Sequence, residues 1–164
     1  MRTISLLLAL AALAVAGCGN DDGDTASKAA TADEATKKDE AAMKDDRTTI
    51  TLRDSNFGPM LFDENKQAIY VFQRDQRDKT VCYGECAKAW PPVVTDGHPQ
   101  AAQGVDTSLL GPIERRDGAM QVTYAGRPLY YYAHEDPGVV LCHNVNLNGG
   151  LWWAIGADGK RRPA

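Results

Sequence analysis

The chain has no apolar run long enough to cross a bilayer comfortably. Its longest, residues 4–16, holds 13 uncharged residues behind Arg2, whereas a spanning helix needs about 20. Basic residues are not in surplus: 18 Lys and Arg stand against 22 Asp and Glu, for a net charge of −4. A nucleic-acid footprint is therefore missing, and no nucleic-acid partner is expected. The cysteines form neither a Cys-x-x-Cys dithiol nor a Cys-x-x-Cys-His haem-attachment run. No glycine-rich phosphate loop, nucleophile–base arrangement or Ser-His-Asp pattern stands out. No cofactor is expected, and the chain reads as a non-enzyme. Helix signals are scarce too: residues 85–90 suit a single turn, which Pro91-Pro92 would stop.

What is present begins with the apolar run itself. Its length and position behind one basic residue fit a signal peptide over residues 1–17. The run ends in Val15-Ala16-Gly17-Cys18, which resembles the bacterial lipobox. That resemblance implies cleavage before Cys18 and acylation of its thiol, palmitate being among the expected chains. Each buried methylene contributes about 0.8 kcal/mol, so two or more chains anchor stably. Gly19 rather than Asp follows Cys18. This permits sorting to an outer membrane facing the periplasm where the organism has one. Otherwise the anchor lies on the outer face of the plasma membrane.

Residues 18–46 read as a disordered acidic tether behind the lipidated cysteine. Between 19 and 46 stand nine acidic and four basic residues, with almost nothing to bury. Residues 47–164 hold 13 of each sign and form the folded part.

That part reads as all-β. Residues 48–53 alternate polar and apolar with β-branched side chains, as a half-buried strand does. Met60-Leu-Phe62 and Ala68-Ile-Tyr-Val-Phe72 suit a hairpin. Residues 120–124 and 127–133 suit a second one, joined by Ala125-Gly126. Leu151-Trp-Trp-Ala-Ile155 reads as a last strand, with one tryptophan inward and one outward. Residues 93–111 read as a long surface connection. An internal echo organises the whole. Tyr70, Phe72 and Asp75 recur as Tyr130, Tyr132 and Glu135, and Cys82 recurs as Cys142, all 60 residues on. The expected architecture is two related hairpin-based repeats, about 57–92 and 117–159, packed as a small sandwich or incomplete barrel.

These residues resemble the bacterial predicted lipoproteins with a repeated Tyr-x-(Phe/Trp/Tyr)-x-x-Asp motif, the secreted-repeat family of unknown function. The resemblance rests on Tyr70-x-Phe72-x-x-Asp75, Cys82-x-Gly84-x-Cys86-Ala87 and Trp90-Pro91-Pro92. In the second half it rests on Arg116-Asp117-Gly118, Gln121 to Tyr124, Gly126 and Pro128 to Tyr132, and it closes with Trp153 and Asp158-Gly159. It spans roughly residues 57–159. Three departures stand out: Glu135 for Asp, Ala125 where Asn is common, and Cys142 in a stretch usually rich in glycine. The resemblance implies architecture and an envelope location, and no catalytic residues.

Export leaves Cys82, Cys86 and Cys142 in an oxidising compartment. Cys82–Cys86 is the expected disulfide, with Cys82–Cys142 as the alternative. The first pairing leaves Cys142 beside His143. These two are weak candidates for a copper or zinc ligand pair, and no closed metal site is expected. The motif aromatics suit core packing, with the acids bonding tyrosine hydroxyls. The alternative is an aromatic platform for a sugar or aromatic ligand. Asp75 and Glu135 would act as a glycosidase pair only at a separation of roughly 5–10 Å. The function expected is that of a membrane-anchored lipoprotein presenting a β domain to a small ligand or an envelope protein. Periplasmic redox or metal handling through Cys142-His143, and inhibition of a cell-wall hydrolase, are the alternatives.

Overall fold

The computed structural model describes residues 45–164. The signal peptide, Cys18 and most of the acidic tether lie outside the described residues. Among the described residues nine strands and one short α-helix follow in chain order, with a 3-10 turn at Thr107–Leu109. They are β1 (Thr49–Arg53), β2 (Met60–Asp63), β3 (Tyr70–Phe72), α1 (Glu85–Ala89), β4 (Gln100–Ala101), β5 (Leu110–Glu114), β6 (Met120–Tyr124), β7 (Arg127–Pro128), β8 (Val145–Leu147) and β9 (Gly150–Ala154). They make three three-stranded sheets, ordered β2-β1-β4, β3-β9-β8 and β5-β6-β7. The domain is therefore all-β and duplicated, and the sheets do not close into a barrel.

The two repeats begin alike. β1 pairs antiparallel with β2, and β5 with β6. The expected hairpin of β2 with β3 exists only at its base, through the Phe62–Ala68 bridge and Ile69 N–H donating to Leu61 O at 3.2 Å. β3 then takes as its long partner β9, the last strand of the other repeat. The exchange is returned. In the first repeat, Val93 N–H donates to Leu129 O at 2.9 Å, and Val93 O accepts from Val122 N–H at 2.8 Å. Each repeat thus gives its last strand to its partner. Where they cross, Tyr70 N–H donates to Tyr130 O at 2.9 Å and Tyr130 N–H donates to Tyr70 O at 3.0 Å. These two residues are 60 apart and meet their own equivalents, as expected at a pseudo-two-fold axis.

This exchange buries both faces of the central strands. Side chains alternate along a strand, so Ile69, Val71, Trp153 and Ile155 enter one core with Ile50, Leu61, Val122 and Leu129. Tyr70, Phe72, Trp152 and Ala154 enter the other with Met60, Phe62, Trp90 and Tyr130. The expectation of one outward tryptophan in β9 is corrected: Trp152 is 0 % exposed and Trp153 8 %. An alternating strand shows an outward face only where one side meets water. Residues 93–111 are likewise not a plain surface connection, because Val93 and Thr95 are buried and β4 runs parallel to β1. Ala125 and Gly126 form the tight turn read from the sequence, with φ of 51° and 73°. Positive φ at both positions is what a two-residue hairpin of this twist demands.

Candidate functional site

The repeated aromatic–acid motif closes on itself across the two repeats. Tyr70 Oη donates to Glu135 Oε1 at 2.7 Å, and Tyr130 Oη donates to Asp75 Oδ2 at 2.6 Å. Each tyrosine therefore bonds the acid of the other copy. Each acid also accepts the backbone N–H six residues further on. Asp75 Oδ1 takes Val81 N–H at 2.8 Å, and Glu135 Oε1 takes Leu141 N–H. The motif thus ties a strand, a loop and the opposite repeat into one clasp, repeated twice.

The departure at Glu135 has a local reason. On the Asp75 side Thr80 supplies an extra hydroxyl. Cys82 N–H donates to Thr80 Oγ1 at 3.2 Å, and Thr80 and Tyr130 share a bond of 2.6 Å. On the other side Val140 stands in place of Thr80, and Cys142 N–H reaches Tyr70 Oη directly at 3.3 Å. One hydroxyl is lost and one carboxylate methylene is gained. Glu135 Oε2 is left buried without a hydrogen-bond partner among the described residues. Burial pushes the Asp75 and Glu135 carboxyls above their ordinary values, partly offset by the bonds they accept. Burial and the facing acids push both tyrosine hydroxyls well above the ordinary phenol range.

Tyr70 and Tyr130 are 0 % exposed and Phe72 2 %. Three of the four motif aromatics are core, and half-buried Tyr132 packs against them, so they form no surface platform. Phe72 stacks on Trp152 at 4.1 Å, and Trp90 stacks on Trp152 at 3.8 Å with their planes 2° apart. Tyr132 leans on Trp90 at 4.8 Å. The indole N–H of Trp90 donates to Asn148 Oδ1 at 3.0 Å, satisfying the one polar atom of that ring.

The three cysteines among the described residues sort as first expected. Cys82 and Cys86 are bonded, and Cys142 is free and buried. Burial, with Glu135 nearby, pushes the Cys142 thiol up to about 11. His143 turns the other way. Its Nδ1 accepts from Ala154 N–H at 3.0 Å, so Nε2 carries the proton and donates to Pro163 O at 3.0 Å. Both ring nitrogens are thus spent on backbone, and burial holds the imidazole below its ordinary value. The pair that lies side by side in sequence does not converge on one point. Among the described residues no cluster of three or more His, Cys, Asp or Glu has a metal-binding arrangement.

An open feature lies beside the disulfide. A groove of about 610 Å³ runs between residues 78–83 and the end of the β5–β6 hairpin. Arg116 lies over the Tyr83 ring at 3.7 Å and Arg115 at 4.4 Å. Tyr83 Oη accepts Arg116 N–H at 3.3 Å. Arg115 is buried, and its Nη2 donates to Cys82 O at 3.1 Å. Nη1 donates to Gln121 Oε1 at 2.7 Å, and Nε faces Asp117 at 3.2 Å. Sequence reasoning passed over Arg115, whose place is taken by Ser55 in the other repeat; Tyr83, where the other repeat has His143, is the second residue without a counterpart.

No helix among the described residues is long and apolar enough to cross a membrane. No curated protein and no solved structure matches the chain. A family model does match twice, at residues 51–94 and 111–155. Those two segments are the halves that exchange their last strands. Together they take in both clasps, the disulfide and the Tyr83–Arg116 groove. The chain belongs to the family described as a secreted repeat of unknown function.

Proposed function

We propose that this protein is a lipid-anchored envelope lipoprotein whose folded part acts as a binding module and not as an enzyme. The observation that carries the reading is the reciprocal clasp. The acids and tyrosines that recur in the sequence are spent on holding the repeats together, with Tyr70 bonded to Glu135 and Tyr130 to Asp75. A catalytic acid must reach its substrate; Glu135 is buried, and half-buried Asp75 is engaged by the Tyr130 hydroxyl and by Val81 N–H. The surface features that do not recur are then the natural place for recognition. Cys18, directly behind a signal-like apolar run and ahead of an acidic segment, supports the anchor.

Metabolic labelling with a palmitate analogue tests the anchor. The full chain is expected to take up label and to sediment with membranes. Cys18→Ser is expected to lose the label and to move to the soluble envelope fraction. A Cys18→Ser chain that keeps label and membrane association would overturn the anchoring.

A further inference from the structure

The groove beside the disulfide is where the two repeats stop matching. Their hairpin tips carry the same bond, Gly58 N–H to Ser55 O at 3.1 Å and Gly118 N–H to Arg115 O at 2.9 Å. Each tip meets the residue that follows a cysteine in the other repeat. At one tip Phe57 rests on His143 with ring centroids 4.5 Å apart. That tip itself carries no arginine; the C-terminal segment comes against His143 instead, with Pro163 O taking its N–H at 3.0 Å and the Arg161 charge nearby. At the other tip Arg115 and Arg116 replace Ser55 and Asn56, and the space is an open groove. The fold requires the tip and its neighbour. It does not require two guanidiniums and an opening.

The cations there are unevenly neutralised. A guanidinium has five N–H donors, and Arg115, 3 % exposed, spends three of them on Asp117, Gln121 and Cys82 O. Arg116 is exposed and has no ion pair among the described residues. Lys79 adds a third cation to the lining, against Asp78 and Glu114. Asp78 is drawn toward Arg77 at 3.6 Å. Tyr83 accepts at its hydroxyl and keeps its own proton to give. Exposed Val81 and half-buried Ile113 supply an apolar flank.

We propose that the groove binds an oxyanion, carboxylate or phosphate, carried on an apolar or aromatic body. Arg116 and Tyr83 Oη would meet the oxygens, the spare donors of Arg115 would stand beneath, and Val81 and Ile113 would cover the body. Parallel N–H groups suit two oxygens of one such anion, which is why arginine recurs at these sites. The proposal rests on the binding-module reading and gives it a ligand class.

Two-dimensional NMR titration of the full chain tests it, with phenyl phosphate and benzoate as probes. Inorganic phosphate stands for the anion alone and benzyl alcohol for the body alone. At least one aromatic anion is expected to shift the Tyr83 and Arg116 amides and to bind more tightly than either part. Whichever responds identifies the oxyanion. Arg116→Ala is expected to weaken binding roughly tenfold, with Arg116→Lys between the two. Arg116 is exposed, so an unchanged spectrum elsewhere will confirm that the variant is folded. Equal binding of benzyl alcohol, undiminished binding by Arg116→Ala, or no shift with either anion would overturn the proposal. A chain that loses its membrane association with Cys18→Ser yet binds no anion leaves the envelope reading standing and sinks only the groove.

Discussion

Glu135 differs from Asp75 by one methylene, and its Oε2 is buried without a hydrogen-bond partner among the described residues. Both carboxyls are raised above their ordinary values of 4.5 and 3.8. A raised acid binds its proton more tightly in the fold than in the unfolded chain. Its protonated form favours the fold. That contribution is complete below the ordinary value and is lost as pH climbs through the raised one. Glu135→Gln keeps an oxygen for Tyr70 and for Leu141 N–H and removes the titration. Urea unfolding from about pH 4 to about pH 7 is expected to show a flatter profile for this variant than for the parent. Parallel profiles would mean that Glu135 does not titrate in this window. Tyr130→Phe probes the other clasp at a fixed pH. It takes a donor from a half-buried carboxylate and is expected to cost about 1–3 kcal/mol.

At the scale of elements, α1 shows how little of this fold holds itself. Five residues are too few for a helix to persist alone, and none of the five is buried. The disulfide at its start and Trp90 at its end fix it. Trp90 is enclosed by Trp152, Tyr70 and Tyr132. Trp90→Ala is expected to cost about 3–5 kcal/mol, as large aromatic truncations in a core do. The near-UV circular dichroism arising from the parallel Trp90–Trp152 pair should vanish with it. Removing the disulfide by Cys82→Ala with Cys86→Ala opens only a short loop, worth about 2 kcal/mol in chain entropy. Its expected signature is faster amide exchange over residues 82–90, with β6 still protected. Since the loop carries Tyr83, the same variant ought to loosen the groove.

At the scale of the molecule, exchanged last strands make each repeat incomplete without the other. β3 has its long partner in β9, and residues 93–95 have theirs in β6 and Leu129. A fragment ending near Gly104 therefore has β3 without β9, and its complement has β9 without β3. Each fragment alone is expected to give the spectrum of an unfolded chain, and an equimolar mixture to regain native dispersion. A first-half fragment that folds by itself would show that the exchange is not needed for stability. The exchange also explains why the recurring acids meet tyrosines of the opposite repeat. A clasp between repeats forms only where the two copies cross, and that crossing is the centre of the domain.

Much of this was legible in the sequence. Strand alternation at residues 48–53 and 120–124, the turn at Ala125-Gly126 and the helix stop at Pro91-Pro92 are local preferences, each written in a few neighbouring residues. The duplication was legible because equal folds repeat their side chains, and Tyr70 and Tyr130 proved to be partners in one core. What the sequence could not carry was which repeat a strand would join. β3 reads the same whether it pairs with β2 or with β9, because pairing depends on backbone groups that every residue shares. For the same reason the second tryptophan of β9 could not be placed, since the layer that covers it comes from the other repeat. The groove stayed hidden for the converse reason. Tyr83, Arg115 and Arg116 are unremarkable apart, and only the crossing of the two repeats sets them against one another.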